Sequence, residues 1–265
     1  MSRTYTATGI VLKGMAMGES DRLVTILSPD RGLLRAVVPG ARKPKSSLRG
    51  RLELFVVNDL LVVQGRSLDR VIQAETRESF APLSRDLAKL AIAQYWAELV
   101  LTLAQSDHSP ADLYHLLLQH LTLLTHLNPT ASLDTRVAQL TQGVIHLLHW
   151  GGIAPQWDLC CVTGAAIAPP LDNPRWRVGL DFDQGGLVLL PAPAAIRCHA
   201  YLTNLETYLL QQLSQTHPDL IASPQLGSTL AWRGIERILR QYTQYHFGNV
   251  IRSAALLDTL FIEEF

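Results

Sequence analysis

The sequence predicts an α+β chain in which a small barrel of short strands is followed by a helical bundle. Three observations carry that expectation. Over residues 1–80, short runs rich in Val, Ile, Leu and Thr alternate with Gly, Pro, Asp and Ser. From Ser84 onward the apolar residues recur at helical spacing. Between residues 153 and 200, prolines and glycines cluster and both patterns fail. Domains are therefore expected at 1–80 and 81–265, the second carrying an irregular insert over about 153–200.

Six short strands are expected in the first part: Thr6–Lys13, Leu23–Ser28, Leu33–Pro39, Leu52–Asn58, Leu60–Gln64 and Arg70–Thr76. Ser28-Pro29-Asp30-Arg31-Gly32 has the chemistry of a hairpin turn, because Pro presets one φ and Gly supplies a positive one. Five or six such strands in so short a span suggest a closed barrel. The OB-fold is the common version that binds nucleic acid, and an SH3-like barrel has a similar pattern.

The helices have clearer signals. Ser84 is the expected cap of a helix reaching Ala104, so apolar on every side that it belongs inside a bundle. Ser109-Pro110-Ala111-Asp112 combines a cap, a proline at the first turn and an early carboxylate. That helix should run to His126, where Asn128-Pro129 stops it. The next should run from Leu133 to Trp150 and end at Gly151-Gly152. Helices resume over Ala200–Gln215 and Ser228–Phe247.

With 48% apolar and 17% charged residues the chain can bury a core and is not a disordered polyelectrolyte. No apolar run approaches the roughly 20 residues of a membrane span. The start, Met-Ser-Arg-Thr-Tyr-Thr, lacks the apolar centre of a secretory signal. Three cysteines, two of them adjacent, do not make a disulfide framework, so a reducing, cytoplasmic setting is expected. The net charge of zero conceals a division: residues 1–51 hold ten basic and three acidic side chains, and the remainder is acidic by the same margin. One end is thus suited to a polyanion.

That charge is concentrated in Gly40–Arg51, whose five cations are Arg42, Lys43, Lys45, Arg49 and Arg51, with no acid among them. Gly40, Pro44 and Gly50 break regular structure, so the stretch should form a loop too polar to enter a core. Laid along a phosphate backbone, each such side chain displaces a condensed counterion. Lys13, Arg22 and Arg35 are expected to assist. Residues 1–80 contain only Tyr5, Phe55 and Phe80 as aromatics, too few for a platform that grips bases. Backbone contacts should therefore dominate, with both single- and double-stranded DNA bound and little preference for sequence.

Four stretches together resemble one family. They are Gly9-Ile10-Val11-Leu12-Lys13; Gly18-Glu19-Ser20-Asp21-Arg22-Leu23-Val24-Thr25; Gly40-Ala41-Arg42-Lys43-Pro44-Lys45 with the following Leu52-Glu53-Leu54-Phe55 strand; and, near the end, Tyr242, Phe247-Gly248 and Arg252-Ser253. The pattern resembles the RecO family of DNA-repair recombination mediators. The resemblance implies an OB-fold, annealing of complementary strands, and RecR as partner. It also implies help in loading RecA onto DNA coated by the single-strand-binding protein SSB, whose acidic C-terminal tail would dock on the helical domain. A bacterial, nucleoid-associated location follows. Many members bind zinc through four cysteines in the insert, which makes that segment a degenerate zinc finger here. The first pair becomes Cys160-Cys161-Val162-Thr163-Gly164, and in the second Leu189 and Ala192 replace thiolates. No cofactor is therefore expected, although Cys160, Cys161, Cys198 and His199 could in principle supply four donors.

Other constellations are weaker. Arg233, Arg237 and Arg240 share a helix face and are a candidate second basic patch, for DNA or for the acidic tail; an ordinary solvated face is the alternative. Glu19 and Asp21 flank Arg22 as a local ion-pair and turn motif. His146 and His149 lack the glutamate of a metalloprotease helix, and Asp181-Phe182-Asp183 lacks a partner run for Mg²⁺. No phosphate-binding loop, nucleophile elbow or dinucleotide fingerprint is present, so a non-enzyme is expected. The competing readings are an RNA-binding barrel and a non-catalytic interaction scaffold.

Overall fold

The computed structural model describes residues 3–105, 109–215, 217 and 228–262. The chain forms two compact units, one of residues 1–126 with 253–265 and one of residues 127–252.

The first unit is built on five strands: β1 (Thr4–Met17), β2 (Asp21–Ser28), β3 (Gly32–Val38), β4 (Val56–Val63) and β5 (Asp69–Ser79). They close in the order β1-β2-β3-β5-β4, and β1 returns to β4. Every pairing is antiparallel except the short one of β3 with β5. That order is the OB-fold barrel. β1 makes closure possible by changing partners midway. Residues Thr4–Ile10 pair with β4, residues from Ile10 to Met17 pair with β2, and a bulge falls between Val11 and Lys13. Gly9 stands at the crossover because nothing larger fits: a Cβ there would lie 2.5 Å from Ile26 Cγ2 and 2.7 Å from the Leu27 carbonyl oxygen. The interior is filled by small β-branched and aliphatic side chains, among them Val11, Val24, Ile26, Val38, Leu60, Val62 and Val71.

Two of the expected strands, 52–58 and 60–64, are a single one. Asn58 and Asp59 look like a turn signal, but each is satisfied within the sheet. Asn58 is fully buried; its amide donates to the Arg51 carbonyl at 2.7 Å and its oxygen accepts from the Thr76 hydroxyl at 3.1 Å. Asp59 accepts from the Thr8 hydroxyl at 2.7 Å and from Arg77 Nε at 2.5 Å. Residues 52–55, expected as strand, are turns instead. Phe55 reverses the chain at φ 63°, a region a bulky residue rarely occupies. Its buried ring and two backbone hydrogen bonds, to Val11 and from Phe80, hold it there.

Three helices complete this unit: α1 (Leu87–Leu103), α2 (Pro110–His126) and, from the end of the chain, α6 (Ala254–Ile262). The cap of α1 is Asp86 and not Ser84. A short 3-10 turn, Ala81–Arg85, intervenes, and the Asp86 carboxylate accepts from the N–H groups of Ala88 and Lys89. Trp96, Tyr95, Ile92 and Leu99 bury α1 nearly all round. Lys89 is buried as well and donates to the Thr125 carbonyl at 3.1 Å, in the last turn of α2, where a cation is favoured. α6 is only nine residues long, with Asp258 and Thr259 exposed and Ala254 and Leu257 buried. It is tied to α1 by Ser253, whose N–H and hydroxyl donate to Glu98 Oε2 at 2.8 and 2.6 Å.

The second unit holds α3 (Leu133–Trp150), α4 (Asn204–Gln215), α5 (Thr229–Phe247) and a four-stranded sheet. The strands are β6 (Gln156–Cys160), β7 (Arg177–Asp181), β8 (Gly186–Val188) and β9 (Ala200–Thr203), ordered β6-β8-β7-β9. The insert is therefore a small ordered sheet rather than an irregular segment. Its prolines and glycines mark connections between strands of three to five residues, too short to show alternation. Val178, Leu180, Leu187 and Leu202 are fully buried beneath it. Gln211 of α4 secures the sheet by donating to the carbonyls of Trp157 and Ile167 at 3.0 and 2.9 Å.

Candidate nucleic-acid interface

The basic stretch Gly40–Arg51 links β3 to β4 and folds as successive turns, with hydrogen bonds from Lys43 N–H to Gly40, Ser46 to Lys43, Arg49 to Ser46 and Leu52 to Leu48. It was expected to stay clear of the core, and in part it does not. Ala41 and Leu52 are buried in the barrel interior, and Leu48 and Leu54 pack against it. The loop thus plugs one end of the barrel with its apolar residues and turns its cations outward. Arg42, Lys43, Lys45, Arg49 and Arg51 are all exposed. Among the described residues none of the five lies within ion-pair distance of a carboxylate.

The loop is held against the β1–β2 turn. Arg42 donates its N–H to the Ser20 carbonyl at 2.9 Å and Nη1 to the Gly18 carbonyl at 2.8 Å. Gly40 N–H donates to Asp21 Oδ1 at 2.9 Å. That bond, aided by the Ser20 hydroxyl, holds the Asp21 carboxyl below its usual range. Asp21 therefore serves the turn as expected, while among the described residues the ion pair of Arg22 is with Glu53.

Register sets the cations on the barrel wall. Lys13 of β1 stands opposite Thr25 of β2, which stands opposite Arg35 of β3. Side chains on one face alternate with those pointing inward, so these three form a row on the outside. Lys13 and Arg35 are exposed. Two further exposed cations were missed in the sequence: Arg66 in the β4–β5 turn and Arg70, which pairs with Val37 at the β3–β5 junction. Each is a single arginine, and only the barrel topology places Arg70 beside β3.

The expected contact residues differ in what else they hold. Arg22 lies across Gly14, where a Cβ would sit 3.2 Å from its Nε. It pairs with Glu53 at 2.8 Å and donates to the Leu52 carbonyl at 3.4 Å. Its pairing with Glu53 lets it fasten the loop from the β2 side. Arg51 gives one N–H to the Ala74 carbonyl at 2.8 Å but stays exposed. In the second unit, Arg240 pairs with the buried Glu236 at 2.8 Å and Arg233 is half-buried. Arg237 alone of that trio is exposed, so the three do not make an open row.

The donors in the insert do not fit the zinc site that the resemblance implies. Thr163, Leu189 and Ala192 offer no thiolate, and Cys160 Sγ accepts the Leu189 N–H at 3.4 Å. Burial pushes the Cys160 thiol up, but hydrogen bonds from the Thr163 hydroxyl and from the N–H groups of Leu189, Thr163 and Val162 outweigh it and bring it to about 7. Among the described residues the donors that do converge are Asp181, Asp183 and His199. His199 Nδ1 accepts the Phe182 N–H at 3.1 Å, which leaves the proton of a neutral ring on Nε2. Asp181 Oδ1 already takes the N–H groups of Asp183 and Gln184, and Asp183 accepts from the Tyr245 hydroxyl. These residues form a turn and its clamp.

A five-stranded barrel with this strand order, bearing cations on one outer face, defines a member of the OB-fold class, here joined to helices and a second small sheet. Comparison with known proteins narrows the class. The family model "Recombination protein O N terminal" matches residues 1–80, and "Recombination protein O C terminal" matches residues 84–255. The chain is 48% identical to the DNA repair protein RecO of Gloeothece citriformis over 98% of each chain. It is 44% identical to that of Synechocystis over the whole of both chains, and 45% identical to that of Synechococcus elongatus over 98% of this chain and 97% of the relative. The chain belongs to the RecO family of DNA repair and recombination proteins. No described helix is long and apolar enough to cross a membrane.

Proposed function

We propose that this protein is a non-catalytic, DNA-binding recombination mediator that acts by cancelling phosphate charge. Two complementary strands repel each other through their backbones. A surface that neutralises phosphates on both, while leaving the pairing edges of the bases open, lowers that barrier. The observation that carries this reading is the outward set of Lys13, Arg35, Arg42, Lys43, Lys45 and Arg49, exposed and without a carboxylate partner among the described residues. Such contacts fix position on the backbone and carry no sequence information, so single and double strands are both bound. Family membership extends the proposal to RecR, to the SSB tail and to RecA loading on SSB-coated gaps. The deciding experiment is annealing of complementary SSB-coated oligonucleotides by the wild type and by a variant neutralised at Arg42, Lys43 and Lys45. The variant should anneal slowly. Equal rates would contradict the mechanism.

A further inference from the structure

The two kinds of cation are unevenly placed in this protein. The chain has nineteen arginines and four lysines. Lys13, Lys43 and Lys45 are exposed, and all three stand on the phosphate-binding face. Lys89 is buried, with its Nζ on the Thr125 carbonyl. An arginine keeps its proton and is not acylated; a lysine releases its proton and is. Every accessible lysine amine of the chain therefore lies where charge does the binding. The two in the loop also have neighbours suited to hold a phosphate. Lys43 and Lys45 lie between Arg42 and Arg49, on a run that successive turn hydrogen bonds keep compact. Among the described residues none of these four is within ion-pair distance of a carboxylate. The stem of Lys43 lies over Gly40, where a Cβ would sit 3.6 Å from its Cδ. Lys13 is less well provided, because Arg35 stands two strands away across Thr25, a separation of about 10 Å.

We infer that this loop is also a modification site, at which small acyl phosphates acylate Lys43 and Lys45 and so turn DNA binding down, an inference that rests on the phosphate-binding reading above. The charge that holds DNA also selects the donor. Its phosphate docks on Arg42 and Arg49 as a backbone phosphate would, which concentrates the acyl group beside the two amines. An unprotonated Nζ attacks the acyl carbonyl carbon. A C–N bond forms and the C–O bond to phosphate breaks. The phosphate leaves with that electron pair and takes up the amine proton. The product amide is neutral, so a modified lysine no longer displaces a counterion. Donor and DNA compete for one surface, so bound DNA protects the lysines and the free protein is the form switched off.

The test incubates the full chain with acetyl phosphate or with a neutral acylating ester, at low and at raised salt, and reads each lysine by mass spectrometry. Acetyl phosphate should modify Lys43 and Lys45 faster than Lys13 and leave Lys89 unmodified. Raised salt should slow that labelling by at least about threefold and leave labelling by the ester unchanged, because only the first donor docks by charge. An Arg42→Ala, Arg49→Ala variant should lose the preference for acetyl phosphate and keep its labelling by the ester. In anisotropy titrations with labelled oligonucleotide, the modified wild type should bind about twentyfold more weakly at about 100 mM salt, the counterion release of two contacts. Untreated protein that binds no DNA overturns both readings. Where untreated protein binds DNA, acetyl phosphate labelling that follows the ester's pattern and ignores salt overturns the inference alone. Complete modification of both lysines without loss of affinity also overturns it, and confines the phosphate contacts to arginines. The salt comparison uses the unmutated chain, so a misfolded variant does not prevent a decision.

Discussion

Replacing Lys43, Lys45 and Arg49 together by alanine isolates the electrostatic part of the account. All three are exposed, and none makes a described hydrogen bond or ion pair through its side chain, so the barrel should keep its stability. For single strands log affinity falls with log salt at about 0.7 per phosphate neutralised, so about five contacts give a slope near −3.5. Between about 50 and 200 mM salt the wild type should lose roughly a hundredfold in affinity. Removing three contacts flattens the slope to about −1.4 and reduces that loss to roughly sevenfold. Titrations of labelled oligonucleotide at four or more salt concentrations measure both slopes. A variant whose slope stays within error of the wild type would refute the loop assignment, even if its affinity had fallen.

Other consequences follow from the same geometry. Arg22→Ala should leave the salt slope unchanged but lower stability by about 1 kcal/mol, the upper range for a partly exposed pair, as read from urea unfolding; a flattened slope would place Arg22 in the phosphate set. Asn58→Ala removes the buried amide that donates to the Arg51 carbonyl and accepts from the Thr76 hydroxyl, two partners at exposed residues, and should cost about 1–2 kcal/mol in the same assay. A loss below about 0.5 kcal/mol would mean that the loop is not anchored there. Cys160 titrates near 7 in the fold against 9.0 for an ordinary thiol, so its contribution is complete above the unfolded value and is lost as pH falls through the folded one. The urea midpoint should therefore rise between pH 7 and 9, and Cys160→Ser should flatten the rise. Parallel curves would contradict the hydrogen-bonded thiolate.

What the sequence revealed depended on how local the signal was. The spans of α2 and α3 follow from Ser109-Pro110, Asn128-Pro129 and Gly151-Gly152, because caps and breakers act on the residues beside them. The cations of Gly40–Arg51 were legible because charge cannot be buried unpaired. The plug formed by Ala41, Leu48 and Leu52 was not, because those residues are few and lie among polar ones; only closure of the barrel gives them a core to enter. Asn58 misled for a related reason: an asparagine resembles a turn unless its long-range partners are known. The pairing of Arg22 with Glu53 was not legible because Glu53 lies thirty-one positions away and is brought near by the loop. The extension of β1 to Met17 was passed over because the bulge at Val11–Lys13 conceals the continuation of the strand and shifts its alternation.

The chain has only four lysines: Lys13, Lys43, Lys45 and Lys89. The first three lie on the proposed DNA face and the fourth is buried against the Thr125 carbonyl. Brief acylation followed by mass spectrometry therefore reads that face almost alone. Bound single-stranded DNA should shield Lys13, Lys43 and Lys45 together, and raised salt should restore their labelling. Unchanged labelling of all three at saturating DNA would place the nucleic acid elsewhere on the molecule.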